Sequence, residues 1–382
     1  MHILILPMYY PEPGAPPHRG YMFREQAVQI ARTGCQTGLV YVEQRLLKEL
    51  SWKTFRQENH FQVTEDESEH VVTLRMHAWN PKLSTRIGAI IWSWLTLRLV
   101  GIYIRRHGKP DLIHAHFGTW AGYAARLAYK CYGIPYVVTE HASSINGGKV
   151  TPGQATTLRT AYKDARKIIC VGTQLKQNLT PYLDRPDKAI VIPNFVDIST
   201  FRPNGKQTEK EKSFTFVSVG NLSRRKGFAE LIDAFARHFS DKPHVSLVIA
   251  GDGEEEDNLR QQIHGLHLEG QISLAGRLPR EEVADLLARS DAFVLASYAE
   301  TFGIVFIEAM AAGPEDIITP ESGYLIRPGD VQALGQKMQE LYEHYEQFDK
   351  AAIRRSVAER FDFTQAGQKL LKVYKEAIQG HE

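Results

Sequence analysis

Two glutamates eight residues apart, Glu300 and Glu308, are the pair whose type and spacing best fit chemistry. The run Glu300-Thr301-Phe302-Gly303-Ile304-Val305-Phe306-Ile307-Glu308 leads into Ala309-Met310-Ala311-Ala312-Gly313, so both sit at the start and second turn of one helix. Eight residues is a little over two turns, which lets both carboxylates point to one side. An ionised carboxylate only accepts hydrogen bonds and suits a vicinal diol. One could hold a pair of sugar hydroxyls and the other a pair of ribose hydroxyls. The plain alternative is charge at a helix N-terminus with a second glutamate there by chance.

The second candidate is an anion site. Phe214–Val219 reads as a strand that runs into Gly220-Asn221-Leu222-Ser223-Arg224-Arg225-Lys226-Gly227, and a helix follows from Phe228. A glycine turn, basic side chains and a helix start together favour negative charge, and Lys226 adds a full counter-charge. A diphosphate leaving group needs such a clamp as charge builds on it. Alone, the segment could equally be a solvated basic turn. Gly251-Asp252-Gly253 reads as a generic β–α turn. Arg277 and Leu278 follow a strand end where a nucleoside base could lie against backbone.

These positions need a frame that brings strand ends together. Short apolar runs alternate with amphipathic stretches along the chain, the pattern of parallel sheets wrapped by helices. The first series covers residues 2–8, 36–42, 71–76, 112–115, 136–139, 167–171 and 189–192, with helices such as Tyr21–Arg32 and 121–131 between them. The second covers 214–219, 246–250, 272–275 and 292–296. The fold class is therefore α/β, with two Rossmann-like doubly wound domains expected to face a cleft. Residues 1–192 form the first, 193–212 a linker and 213–363 the second. Composition assigns the terminal helix, about 364–382, to neither, and it is expected to pack back on the first. Such sheets bind ligands at the carboxyl ends of their strands.

The bulk properties narrow the class. A length of 382 residues suits two middling domains. No stretch is read as a membrane span, because the best candidate, residues 87–97, is bounded by Arg86 and Arg98. The start, Met1-His2-Ile3-Leu4-Ile5-Leu6-Pro7, has no basic region or cleavage site and reads as a buried strand rather than a secretory signal. Cys35, Cys131 and Cys170 are odd in number and lack metal-ligand spacing, which favours free thiols in a reducing, cytoplasmic setting. No metal and no resident cofactor are expected. The net charge of +2 hides a division: residues 1–190 carry 24 Lys and Arg against 14 Asp and Glu, while residues 191–382 carry 22 against 30. A basic first half fits an anionic acceptor or the inner face of an anionic membrane, and ordinary surface variation explains it equally well. Residues 82–109 mix Trp92, Trp94 and Tyr103 with Lys82, Arg86, Arg98, Arg105, Arg106 and Lys109, as interfacial helices do, although a helix before the next strand needs the same apolar residues for core. Nothing points to nucleic acid.

The Glu300–Glu308 spacing and the loop Gly220-Asn221-Leu222-Ser223-Arg224-Arg225-Lys226-Gly227 resemble the E-x7-E and Gly-x-Leu-x-x-x-Lys-Gly signatures of glycosyltransferase family 4, the retaining GT-B glycosyltransferases. Ile192-Pro193-Asn194-Phe195-Val196-Asp197 followed by Phe201 is similar to that family's interdomain linker. The resemblance covers nearly the whole chain. It implies a nucleoside-diphosphate-sugar donor carrying UDP or GDP, and a glycan or lipid-linked acceptor of cell-envelope or exopolysaccharide synthesis. Glu300 would contact the transferred sugar near its anomeric centre, Glu308 the ribose, and Lys226 the diphosphate. The Gly303 and Ile304 amides would meet the sugar or phosphates. Where the family usually places an arginine this chain has Asn221, and Arg224 or Arg225 would supply the charge. Leu112-Ile113-His114-Ala115-His116-Phe117-Gly118 resembles a strand-end histidine motif of the first domain, which places His114 and His116 on the acceptor side. Val137-Val138-Thr139-Glu140-His141-Ala142 resembles the segment whose histidine, here His141, approaches the donor sugar. The loop at 11–20 resembles the family's N-terminal glycine loop, and Gly20 would let backbone approach the phosphates or acceptor.

One junction departs from the pattern. Gly313 runs directly into Pro314-Glu315-Asp316 where the family continues through an apolar strand and a Gly-Gly turn, so about ten residues are absent by comparison. Loss of a central strand leaves neighbours with unpaired backbone, a large penalty. Either the natural chain holds a segment missing here, the reading its intact flanks favour, or the donor site is damaged. The alternatives to a transferase are a nucleotide-sugar epimerase of the same architecture and an impaired nucleotide-sugar-binding protein.

Overall fold

The structure is a computed structural model that describes all residues except 12–19, 47–50, 53–55, 57–59, 81–85, 203–212, 299–303, 313–323, 325 and 381–382. It divides into two compact units, Met1–Pro193 with Gly367–Glu382, and Asn194–Ala366.

The first unit runs β1 (His2–Leu6), α1 (Tyr21–Arg32), β2 (Gln36–Leu46), β3 (Val63–Ser68), β4 (Val71–Asn80), α2 (Arg86–His107), β5 (Leu112–His116), α3 (Tyr123–Tyr132), β6 (Tyr136–Glu140), α4 (Ser143–Asn146), α5 (Pro152–Lys163), β7 (Ile168–Cys170), α6 (Thr173–Leu179) and β8 (Ala189–Val191). Its strands order as β3-β4-β2-β1-β5-β6-β7-β8. They pair in parallel except β3, which is antiparallel to β4. Starting at β1 and spreading to both sides is the doubly wound arrangement. Every residue of β1, β5 and β6 is buried, as strands covered on both faces must be. The sequence reading missed β3 because Val63-Thr64-Glu65-Asp66-Glu67-Ser68 has no apolar face; it is an exposed edge strand held by its ladder with β4.

Helix α2 corrects the membrane reading. Ile87–His107 is long and apolar enough to cross a bilayer by length and composition, since a lone Arg98 barely lowers the mean of such a window. Here it is largely a core helix: Trp92, Leu97, Leu99, Val100 and Tyr103 are buried.

The second unit runs β9 (Phe214–Val219), α7 (Phe228–Phe239), β10 (Val245–Ala250), α8 (Glu256–Gly265), β11 (Ile272–Gly276), α9 (Arg280–Arg289), β12 (Ala292–Phe293), α10 (Ile304–Ala312), α11 (Val331–His344), α12 (Lys350–Phe361) and the start of α13 (Phe363–Gln379). Its sheet is parallel, in the order β11-β10-β9-β12. Strand β12 is two residues long where the apolar run to Ala296 suggested five, because Val294 to Ser297 leave regular pairing. Residues after Pro193 belong to this unit: Val196 bridges to Asp362, Phe201 is buried, and Arg354 donates to the carbonyls of Ile198 and Phe201 at 2.8 and 2.6 Å. From Gly367 onward α13 belongs to the first unit and buries Leu370, Val373, Tyr374 and Ala377.

Candidate functional site

In the first unit the parallel register sets His114 opposite Val137 and His116 opposite Thr139. Two residues apart on one strand, the histidines lie on one face. Both are fully buried. His114 Nδ1 lies 2.6 Å from the Tyr374 hydroxyl and Nε2 lies 2.7 Å from Thr139 Oγ1. Both ring nitrogens are thus engaged internally. This corrects the acceptor-side expectation for His114, which instead ties α13 to β5 and β6. His116 Nδ1 lies 3.1 Å from His141 Nε2, and His116 Nε2 is buried with no hydrogen-bond partner among the described residues. The ring of Phe23 covers His116 at 4.5 Å between centroids.

Burial lowers the His141 pKa to about 3 and, with the neighbouring His141, that of His114 to about 3. Burial and the two flanking histidines push His116 well below the usual range. The cluster is therefore neutral at physiological pH. His141 remains partly exposed, and with Nε2 on His116 its remaining polar ring atom is Nδ1. It can give or take a hydrogen bond there but carries no charge.

A buried carboxylate holds this histidine in place. Glu140, at the end of β6, accepts from the amides of His141 and Ala142, both at 3.0 Å, from the Gly118 amide at 2.9 Å, and from the Tyr162 hydroxyl at 2.6 Å. Burial raises its pKa and the four donors oppose that rise without cancelling it. Gly118 lies in a π-helical turn, Phe117–Gly122, and Phe117 adopts φ 73°. Such turns and left-handed non-glycine residues concentrate at functional sites. The Phe117 ring packs against His141 at 5.2 Å. Neither Glu140, Tyr162 nor Tyr374 was picked out from the sequence. The signal available for Glu140 was an acid ending an otherwise apolar strand, which must be satisfied where it is buried.

The carboxyl ends of β9, β10 and β11 assemble the second cluster. The Gly220 amide donates to Ala250 O at 3.0 Å, and the Asn221 side chain and Leu222 amide both donate to Asp252 O, at 2.9 and 2.8 Å. Asn221 is thereby a brace between two strand ends. Arg277 pairs with both oxygens of Asp252, Nε at 3.0 Å and an Nη at 2.7 Å, which fixes the start of the segment that continues to Leu278. Arg225 is exposed, and its carbonyl accepts from Tyr298 N at 2.9 Å. Lys226 folds back over the turn: its Cε lies 3.7 Å from where a Cβ on Gly220 would stand. Gly227 has φ 68°, and a Cβ there would come within 2.1 Å of Ala296 O, so glycine is required to start α7.

Glu308 is on α10, 8% exposed, and pairs with Arg280 Nη1 at 2.6 Å. The Arg280 guanidinium in turn lies over the Phe201 ring at 4.6 Å. The sequence reading had no signal for this pair, because the two residues are 28 apart. Glu300 and Gly303 lie outside the described residues, as does the Gly313 junction. Ile304 is the first residue of α10. Gly20 caps α1 with φ 82°, and a Cβ there would come within 2.2 Å of Tyr9 O, so its own chain demands the glycine. The three cysteines are free thiols, and no group of potential metal ligands occurs among the described residues.

Residues 47–200 match the model of Glycosyltransferase Family 4, and residues 201–355 that of Glycosyl transferases group 1. A Bacillus subtilis glycosyltransferase named for teichuronic acid biosynthesis, TuaC, is 27% identical over 373 residues, covering 90% of each chain. Sucrose-phosphate synthase from Thermosynechococcus elongatus superposes with a TM-score of 0.82 over 100% of both chains at 18% identity. Anabaena HepE, solved with UDP, gives 0.72 over 98% of this chain and 100% of its own at 22% identity. The fold is accordingly GT-B. The two matched models together span most of the sequence, and the chain belongs to the group 1 glycosyltransferases, family 4.

Proposed function

We propose that this glycosyltransferase moves a sugar from a nucleoside diphosphate sugar to a hydroxyl of a cell-envelope glycan or lipid-linked saccharide, with retention at the anomeric carbon. The observation that carries the reading is the Gly220–Gly227 turn at the end of β9, with Lys226 folded over it and α7 starting behind it. As the bond from the anomeric carbon to the diphosphate oxygen lengthens, negative charge grows on the leaving group. Lys226 and the first amides of α7 stabilise it, the kind of term that dominates transfers of this type. Glu308, oriented by Arg280 through one oxygen, offers the other to a ribose hydroxyl. Neutral His141 meets a sugar hydroxyl through Nδ1, held there by His116 and Glu140. Retention and the acceptor class rest on the family resemblance, and the teichuronic acid relative supports an envelope glycan.

Thermal unfolding with a panel of nucleoside diphosphates tests the donor half. A ligand at about a hundred times its Kd stabilises by about 2.7 kcal/mol, which is read as a shift of several degrees. UDP is the expected binder, since HepE was solved with it. No shift with any nucleotide, from folded protein, overturns the reading. Proton NMR of the product then decides retention against inversion.

A further inference from the structure

Helix α2 is half core, and its other half carries a pattern the transfer reaction does not use. Along its outer face Ile87, Ile91, Trp94, Arg98, Ile102 and Arg105 recur at spacings of three, four and seven, so they form one stripe. The stripe is open to solvent: Trp94 is 57% exposed and Ile87 54%, and both arginines are exposed. A tryptophan that open, with an exposed isoleucine seven residues before it on the same face, is unusual on a surface left in water. The stripe is also graded, apolar toward the helix start and cationic toward its end. Arg86 to His107 contains no Asp or Glu. Arg106, off the stripe, pairs with Glu65, whereas Arg98 and Arg105 make no ion pair among the described residues.

We infer that this face of α2 docks on an anionic lipid bilayer, with Ile87, Ile91 and Trp94 entering the headgroup–acyl boundary and Arg98 and Arg105 meeting lipid phosphates. Charge complementarity selects the bilayer over a second copy of the chain. A second copy of this face offers no carboxylate to Arg98 and Arg105, whereas an anionic leaflet neutralises both. The surrounding sequence agrees: residues 1–190 carry 24 basic against 14 acidic residues. The helix would lie in the interface plane rather than span the bilayer, because Trp92, Leu99, Val100 and Tyr103 on its other side are already buried in protein.

The test needs neither donor nor acceptor, so its failure is separate from that of the transferase reading. The full chain is sedimented with vesicles of phosphatidylcholine alone and of phosphatidylcholine with phosphatidylglycerol, at low and high salt. Binding is expected to the anionic vesicles only, and to weaken with salt. Arg98→Gln with Arg105→Gln should lower the apparent affinity about thirtyfold, since each basic residue near the surface is worth about a factor of five. Trp94→Ser with Ile87→Ser should abolish binding; both side chains are exposed, so unchanged circular dichroism and Tm confirm the fold. No vesicle binding, or binding that ignores all four substitutions, overturns the proposal. So does a dimer in sedimentation equilibrium that Trp94→Ser dissociates, which would give this face to a second copy.

Discussion

At the scale of single residues, the first unit's site depends on one acid. Glu140 collects three backbone amides and a tyrosine hydroxyl from the end of β6, the turn after β5, and α5. Glu140→Gln keeps the volume but turns one acceptor atom into a donor facing donors. It should destabilise by about 3 kcal/mol, and Tyr162→Phe by about 1 kcal/mol, both read from urea midpoints. Because the His141 amide is one of the four donors, Glu140→Gln should also lower kcat more than it changes KM. Equal loss of stability from both variants with unchanged kcat would remove the positioning role. The histidines give a pH signature. His114 and His141 stay neutral in the fold down to about pH 3, whereas an unfolded histidine takes up a proton near 6.5. The unfolded state therefore binds more protons between those values, so stability is full above about pH 6.5 and falls as pH drops toward 3. The slope is at most about 1.4 kcal/mol per pH unit for each histidine. Urea midpoints at about pH 7.5 and about pH 5.5 should differ accordingly, and His114→Gln should flatten the difference. A variant with an unchanged slope would place the acid sensitivity elsewhere.

At the scale of elements, the informative positions are where strands hand over to helices. Gly227 is held at φ 68° with Ala296 O where a Cβ would stand. Gly227→Ala must shift the start of α7 and the Lys226 turn together. A loss of about 2–4 kcal/mol is expected from strain and clash, with loss of any nucleotide-induced rise in Tm. A variant that melts lower yet still responds fully to nucleotide would separate the clamp from α7. The same handovers mark how far the sequence could be read. Short, mainly apolar runs disclosed β1, β5, β6 and β9 to within a residue or two, since strands buried on both faces are largely apolar. Strand β3 was invisible because five of its six residues are polar and it is specified by pairing with β4 and not by burial. The π turn at Phe117–Gly122 left no periodicity signal, and α3 accordingly begins at Tyr123, two residues later than its pattern suggested. His141 and Lys226 could be named as candidates from the sequence because each sits in a short motif. Tyr374 and Arg280 were not: Tyr374 is 260 residues from its partner His114, and long-range pairs leave no local trace.

At the scale of the whole molecule, the departure from the family pattern after Gly313 bears on how firmly the second unit is held. Its sheet ends at β12, two residues long. Just past it, among the described residues, lies a partly open pocket of about 260 Å³ with a mostly apolar wall that includes Leu295, Phe306, Tyr324, Ile326, Met338 and Leu341. By comparison with the family pattern, about ten residues, an apolar strand and a glycine turn, would follow Gly313. A strand set parallel beside β12 would extend the described sheet and bury part of that apolar wall. A chain of the 43.3 kDa given by this sequence should melt in two steps, the second unit first, because its sheet ends on so short a strand. Inserting an apolar strand and a Gly-Gly turn between Gly313 and Pro314 should raise the lower transition. An insert of the same length made of serine and glycine separates filling from mere lengthening, since it cannot bury apolar surface. If both inserts act alike, or if the chain without an insert already melts in one step, the pocket is not the imprint of a lost strand.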